Sequence, residues 1–571
     1  MTQTHTVFNQ ASELVDYDMY LSDPVLNDLI HRHGAAWAAA QLSAYGRFAG
    51  STEGIELARQ ANDNPPVLHT HDRFGNRIDE VKFHPAYHRL MQAAIDAGIH
   101  SMPWATPRPG AHVARAALMY MAFQNEAGHC CPISMTYSVI PALRRQPDLA
   151  AQWEKLICST VYDGSFRPAA AKSGLTVGMG MTEKQGGSDV RANTTRAVPA
   201  PTLAAAGTAP GIKPYLLTGH KWFTSAPMSD AFLILAQTEK GVTCFFVPRW
   251  RPDGSLNTLR IQRLKDKMGN KSNASSELEF EEALGYIVGD EGRGVATIIE
   301  MVNHTRLDCM IGAAALMRQA TRQAAHHASG RAAFGKLLID QPLMASVLAD
   351  LSLESEAAIR MTMRVAEAYD KSVATADGAS NNNSAEAQFK RIASAVSKYW
   401  ICKRAPMHVA EALECLGGNG YVESGPMPRL FRESPLLGIW EGSGNVICLD
   451  VLRAVAKEPE TLDAFMAEVE KACGVNRSFD AYVRKLKRYV ADLKVKATTA
   501  DIALSREQGA RRLVEQLALA LQASLMLQQA HKDVANAFVS SRLGNEGGFA
   551  FGSLPSSVKP KTIKTLVDRS R

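Results

Sequence analysis

Between residues 178 and 190 the chain reads Gly178-Met179-Gly180-Met181-Thr182-Glu183-Lys184-Gln185-Gly186-Gly187-Ser188-Asp189-Val190, a turn of bare backbone interleaved with hydroxyls. Glycines permit positive φ and close approach, while Thr182 and Ser188 offer hydrogen-bonding oxygens, so this loop suits the edge of a flavin-like ring and a pyrophosphate. A glycine-rich loop by itself more often makes a plain turn. A second segment, Lys221-Trp222-Phe223-Thr224-Ser225, supplies an aromatic platform with polar neighbours between strand-like runs, and together the two read as a cofactor pocket.

The 571 residues, 46% hydrophobic, are enough for several cores, which favours two to four domains. The first twenty residues carry Glu13, Asp16 and Asp18 without a continuous apolar run, unlike a signal peptide, and no eighteen-residue apolar stretch suits a membrane. Of nine cysteines only His129-Cys130-Cys131 clusters, without a second ligand pair at zinc spacing. These features predict a cytoplasmic protein with reduced thiols, no bound metal and no membrane association.

Four regions follow along the chain. Residues 1–172 alternate helix-like runs, Tyr87 to Ala97 and Val113 to Glu126, with proline-rich joints. Residues 173–285 change to short apolar runs such as Tyr215 to Thr218, Ala231 to Ala236, Thr243 to Val247 and Glu277 to Phe280, expected as strands of a small β domain. Helical spacing returns over residues 286–456, with Leu343 to Tyr369 and Ala387 to Leu416 long enough for a bundle. Residues 457–571 form a basic helical region. Val198 to Gly211 and Ala374 to Ser384 are low-complexity insertions expected as exposed loops.

A further chemical signal is Ile439-Trp440-Glu441-Gly442-Ser443-Gly444-Asn445. A carboxylate flanked by an aromatic and small residues can sit desolvated in a cleft, which raises its pKa toward that of a general base.

With Arg331-Ala332-Ala333-Phe334-Gly335 and Leu416-Gly417-Gly418-Asn419-Gly420-Tyr421 added, five ordered motifs make the chain resemble the acyl-CoA dehydrogenase flavoprotein family from Ser173 to about Val455. The segments Met181 to Val190, Leu264 to Asn270 and Ile439 to Asn445 look like its AidB-type, adaptive-response branch. That branch adds a basic C-terminal helical domain. The resemblance implies an α+β fold of helical domain, small β domain and helical bundle. It also implies FAD and a homotetramer in which the cofactor lies across a subunit interface. On this pattern Met181, Thr182, Gly187, Ser188, Trp222, Thr224 and Ser225 contact the flavin. Arg331 and Phe334 reach the neighbouring subunit's dinucleotide, and Gln341, Gly418, Ser443 and Asn445 complete the site. Arg331 as a permanent cation with a fork of donors suits a pyrophosphate.

In the family a glutamate removes the α-proton of an acyl thioester while the β-hydride passes to flavin. Glu441 holds that place. Some branches carry the base on the long helix instead, and the matching segment here is His304-Thr305-Arg306, whose central residue cannot act as a carboxylate base. Arg306 therefore orients or stabilises Glu441, or serves as a structural ion-pair partner. Glu414 stands where many members carry glutamine, Asn445 where many carry a longer amide, and Trp440 is larger than the usual tyrosine. These departures imply weak or restricted acyl-CoA dehydrogenation.

From Lys471 to Arg571 the chain has 18 Lys and Arg against 8 Asp and Glu, whereas the remainder is slightly acidic. Phe479, Tyr482, Leu486, Tyr489 and Leu493 fall at helical spacing, with Arg484, Lys485, Lys487, Arg488, Lys494 and Lys496 on other faces. Two readings stand: a core-facing stripe backed by a solvated basic face, or a surface for double-stranded DNA to which Arg511 and Arg512 add. The second implies DNA protection in the response to alkylation damage, with phosphate attraction dominating over sequence. An ordinary acyl-CoA dehydrogenase of catabolism, without DNA binding, is the competing function.

Overall fold

The computed structural model describes residues 4–203, 211–372, 384–494, 499–544 and 546–571, without the side chain at position 494. Residues 204–210 and 374–383 of the two low-complexity insertions, Lys496 and the Lys494 side chain lie outside the described residues. The chain forms two compact units, one of residues 52–111 and 125–308, the other of residues 1–51, 112–124 and 309–571.

The first unit carries a seven-stranded sheet. Strand Val177–Gly180 pairs in parallel with Ala231–Thr238, which pairs along its whole length with Gly241–Pro248. Pro214–Ser225 runs antiparallel to Ser275–Val288, and Leu259–Leu264 joins the latter. Because Gly241–Pro248 also pairs with Ser275–Val288, the sheet curls back on itself around a core that includes Phe232, Phe245, Leu278 and Phe280. All four apolar runs expected as strands lie within these strands. Val, Ile and Phe at alternating and consecutive positions fill both faces, as a closed sheet requires.

One element departs from the helical expectation for the first 172 residues. Val67–His71 and Arg77–Lys82 form an antiparallel hairpin, turned at Asp72 and at Gly75 with φ 88°. Its first strand alternates between exposed and half-buried residues, a pattern too polar to stand out from a loop. The helix Cys130–Leu143 packs on the sheet at Val177–Gly180 and the helix Pro85–Asp96 packs on that helix, and the Thr136 hydroxyl accepts the Val177 N–H at 3.1 Å.

The second unit is helical. Pro342–Ser372 and Ala385–Glu414 run as long helices and pack together with Pro459–Glu470, Ala510–Gln529, Lys532–Arg542 and Pro560–Ser570. Buried ion pairs knit them: Arg542 reaches Asp350 and Glu354, Arg569 reaches Glu356, and Arg364 reaches Glu468. The C-terminal residues therefore share one compact unit with the bundle. Glu354 is fully buried, yet Arg404 and Arg542 hold its carboxyl at about 2 against the cost of desolvation.

Candidate cofactor and catalytic site

In the sheet-bearing unit the two motifs read from the sequence meet. The Trp222 N–H donates to the Thr182 carbonyl at 2.8 Å. The register of Pro214–Ser225 against its neighbour breaks between Lys221 and Thr224, which frees Trp222 and Phe223 from regular pairing. Gly187 packs where a Cβ would lie 2.3 Å from the Thr182 hydroxyl, so only glycine fits there. Ser188 is exposed, Met181 and Thr182 are half-buried, and the Met181 carbonyl accepts from Asn193 at 3.0 Å. Ser225 is tied to Ser275 at 3.2 Å. Thr224 is buried, and its hydroxyl lacks a hydrogen-bond partner among the described residues, which fits a group that a bound cofactor could complete.

The loop is fixed from beneath by residues to which the motif alone gives no role. Glu183 and Lys221 form a fully buried pair at 2.6 Å. Glu183 also accepts from the Thr194 N–H at 2.7 Å and hydroxyl at 3.0 Å, from the Thr195 N–H at 3.2 Å and hydroxyl at 2.6 Å, and from the Gln185 amide at 2.8 Å. Burial opposes ionisation of Glu183, but these bonds outweigh it and hold the carboxyl well below the usual range. Burial pulls the Lys221 ammonium down to about 8, with Glu183 resisting. Above the platform, the Lys265 ammonium sits 3.3 Å from the Trp222 ring centroid and is anchored by Glu277 at 2.6 Å. A lysine forty residues downstream leaves no local spacing signal; a buried Glu–Lys pair across two motifs is legible only once their strands are adjacent.

In the helical unit, Arg331 begins a tight hairpin in which Ala332-Ala333 pair with Lys336-Leu337. Phe334 at its tip has φ 51° and is 98% exposed, an apolar ring held outward. The Gln341 amide donates to the Ala333 carbonyl at 2.9 Å. Arg331 Nη1 donates to the Asn9 carbonyl at 3.1 Å and the Gln10 side chain at 3.3 Å, and the Asn9 amide in turn donates to the Ala332 carbonyl. Gln10 also accepts from Asn419 at 3.5 Å, which brings the Gly418 turn beside Arg331. Gly418 is exposed with open space at its Cβ position.

Glu441 stands in the same unit with φ 57°, followed by Gly442 with φ 106°. A non-glycine residue in the left-handed region is uncommon and persists where its surroundings over-determine it. The Lys398 ammonium donates to the Gly442 carbonyl at 2.6 Å and holds the turn. Ser443 stands at the N-cap position of the helix Gly444–Lys457 without a side-chain capping bond, and Asn445 accepts from Arg511 at 2.8 Å. Arg511, read from the sequence as a DNA contact, thus reaches a residue read as part of the cofactor site. Arg306 lies in the other unit on the helix Gly294–Gly330, buried at 6% exposure, two residues after His304, whose ring meets Tyr137 and Trp104 at 5.4 and 5.5 Å.

Residues 9–164 match the adaptive response protein AidB N-terminal domain, 178–283 the acyl-CoA dehydrogenase middle domain, and 292–456 the acyl-CoA dehydrogenase C-terminal domain. The chain is 42% identical over 548 residues to the putative acyl-CoA dehydrogenase AidB of Escherichia coli, spanning 96% of each. It is 29% identical to acyl-CoA dehydrogenase family member 11 of Caenorhabditis elegans, over 83% of this chain and 76% of that one. The crystal structure of Caenorhabditis elegans ACDH-11 in complex with C11-CoA aligns with a TM-score of 0.83 at 25% identity, covering 98% and 96% of the two chains. An acyl-CoA dehydrogenase complexed with FAD from Bacillus anthracis shares the fold, with a TM-score of 0.65 at 14% identity over 99% and 90%.

A flavin-binding β domain with helical partners defines an oxidoreductase that works with FAD. The chain belongs to the acyl-CoA dehydrogenase family, in its AidB branch.

On the helix Arg477–Lys494 the stripe Phe479, Val483, Leu486, Val490 and Leu493 is buried, so the apolar spacing serves packing. Tyr482 and Tyr489 are half-buried, and the Tyr482 hydroxyl donates to the Gln516 carbonyl at 3.3 Å. Arg484, Lys485, Lys487, Arg488 and Arg512 are exposed, with Lys487 paired to Glu470 at 2.9 Å. Among the described residues no helix is long and apolar enough to cross a membrane.

Proposed function

We propose that the protein carries out weak or restricted FAD-dependent dehydrogenation of an acyl-CoA and also binds double-stranded DNA in the response to alkylation damage. The observation that carries the enzymatic part is Glu441, a carboxylate held in a left-handed turn between Trp440 and Gly442. Glu441 takes the α-proton of the thioester and Arg306 supports the carboxylate. The loop at Thr182, Gly187 and Ser188, the Trp222 platform and the Thr224 hydroxyl hold the flavin. A neighbouring copy in a homotetramer brings Arg331 and Phe334 to the dinucleotide, with Gln341, Gly418, Ser443 and Asn445 completing the site. FAD, when bound, accepts the β-hydride. Trp440 narrows the acyl space, and the C11-CoA complex of the Caenorhabditis elegans relative supports an acyl-CoA ligand. Glu441→Gln keeps the shape and removes the base. The variant is expected to retain FAD while acyl-CoA no longer bleaches it, across a panel of short, branched and long thioesters. Unchanged bleaching would move the base elsewhere.

The DNA reading rests on the exposed cations Arg484, Lys485, Lys487 and Arg488 on a helix whose opposite face is buried. Phosphate contacts predict affinity that falls steeply with salt and depends little on sequence, with several basic faces acting together in an oligomer. The C-terminal helices share a core with the bundle, so the fitting test is charge reversal in the full chain rather than deletion. Reversal of these four residues is expected to weaken duplex binding strongly while flavin content stays unchanged. No salt-sensitive shift of duplex DNA by the intact protein would leave the dehydrogenase reading alone.

A further inference from the structure

A cavity of about 320 Å³ lies in the sheet-bearing unit, apart from the flavin loop. Thr176 lines it, at the start of the strand Val177–Gly180, whereas Thr182 lies beyond that strand's end. The strand carries the chain roughly 13 Å away from the cavity toward Thr182, whereas Ala226, which also lines the cavity, directly follows Ser225 of the Trp222 segment. The cavity is bounded by the second hairpin strand and the helix Pro85–Asp96 on one side. The loop Tyr162 to Phe166 and the turn Ala226 to Ser229 bound the other.

Its walls are aromatic and thioether. Phe83 and Tyr87 stack at 4.2 Å with their planes 15° apart, and Met91 and Met228 also line the space. Of the cavity's charged lining residues, Lys82 pairs with Glu80 at 3.8 Å and Asp163 with Arg167 at 2.7 Å. The Tyr162 hydroxyl and His88 Nδ1 share a hydrogen bond of 2.8 Å, and burial lowers the His88 pKa, which favours the uncharged imidazole. Lys172 and Asp230 are both buried and paired at 2.7 Å. Gly164 closes against the Tyr162–His88 pair, where a Cβ would fall 2.7 Å from the Tyr162 oxygen. Ser229 differs from the rest: it lines the cavity, is 2% exposed, and its hydroxyl has no hydrogen-bond partner among the described residues. A buried hydroxyl left unmet is costly, so such a group marks a place where something else completes the bond.

We propose that this cavity is a second ligand site, distinct from the flavin loop, for a small uncharged ring compound carrying one hydrogen-bonding substituent. The ring packs on the Phe83–Tyr87 stack and the two methionines, and the substituent meets Ser229. A charged ligand is disfavoured because the charged lining groups are already engaged, Lys172 with Asp230, Lys82 with Glu80 and Asp163 with Arg167, so a further charge would have to compete with an existing pair. The volume suits one or two fused rings, at the lower end of small-molecule pockets.

The test uses the FAD-loaded full chain with p-cresol and toluene as probes, followed by calorimetry and by methyl NMR of methionine-labelled protein. Met91→Leu and Met228→Leu assign the two signals. Both methyls are expected to show saturable ring-current shifts, and p-cresol to bind roughly tenfold tighter than toluene through its hydroxyl. Ser229→Ala should bring p-cresol to the affinity of toluene, with flavin content unchanged and with no competition from acyl-CoA in either protein. The inference is overturned by the absence of saturable shifts at these methyls, by displacement with acyl-CoA, or by a p-cresol preference that survives Ser229→Ala. None of these outcomes touches the Glu441 reading, which fails only through flavin bleaching in Glu441→Gln.

Discussion

Replacing Lys221 with Met tests whether the flavin loop is held by the buried pair beneath it. Both side chains of the Glu183–Lys221 pair are fully buried at 2.6 Å. Met fills much of the space of the lysine stem but removes the ammonium. Glu183 then keeps its bonds from Thr194, Thr195 and Gln185, yet its charge has lost the ammonium it pairs with. Breaking a buried pair from one side costs about 3–5 kcal/mol, and the surviving hydrogen bonds favour the lower end. At roughly 2–4 °C per kcal/mol for a unit of this size, the loss appears as a drop of about 6–12 °C in Tm. Glu183→Gln should cost a similar amount, because it strands an ammonium that burial has already pulled down to about 8. The double variant, with neither charge, should lose less than the sum of the two by at least about 1 kcal/mol. Thermal and urea unfolding measure the stability, and flavin absorbance after gel filtration reports the loop. A Tm change below about 2 °C for Lys221→Met, or strict additivity in the double variant, would refute the claim that the pair anchors this loop.

Four further outcomes follow from the same structure. Gly187→Ala places a Cβ against the Thr182 hydroxyl, so flavin retention should fall sharply while overall helix and sheet content is preserved. Gly418→Ala meets nothing within its own chain, so a loss of FAD from that variant shows that the dinucleotide of a neighbouring copy approaches there, and full retention removes Gly418 from the site. Glu126 is fully buried, and its bonds from His129 and Ser272 overcome desolvation to hold its carboxyl at about 2. Its folded pKa lies below the ordinary 4.5, so the contribution is complete above that pH and is lost as pH falls toward 2. It amounts to about 3 kcal/mol, read as an acid-side fall in the urea midpoint that Glu126→Gln flattens. Arg331→Met should lower FAD retention and free the Asn9–Gln10 segment, measured as flavin content and as hydrogen exchange at residues 8–12.

The sequence by itself determined the elements and the motifs. Apolar runs such as Ala231 to Ala236 and Thr243 to Val247 sit inside the strands because β-branched and aromatic residues suit a sheet buried on both faces. Long stretches at helical spacing, Leu343 to Tyr369 among them, lie inside helices because period and length agree. The glycine loop and the Trp222 segment were legible as neighbours from their complementary chemistry, and the Trp222 N–H bond to the Thr182 carbonyl joins them. Pairing across distance was decided only by tertiary structure. The Glu183–Lys221 contact, the Lys265 ammonium over Trp222 and the Asn9 bonds to Arg331 join residues 38, 43 and 322 positions apart, and no local period encodes them. The apolar face of Arg477–Lys494 likewise had two readings until packing buried Phe479 and Leu486 and left the cations outside. Helical spacing states which residues share a face, while burial states what that face meets, and burial is a property of the whole chain.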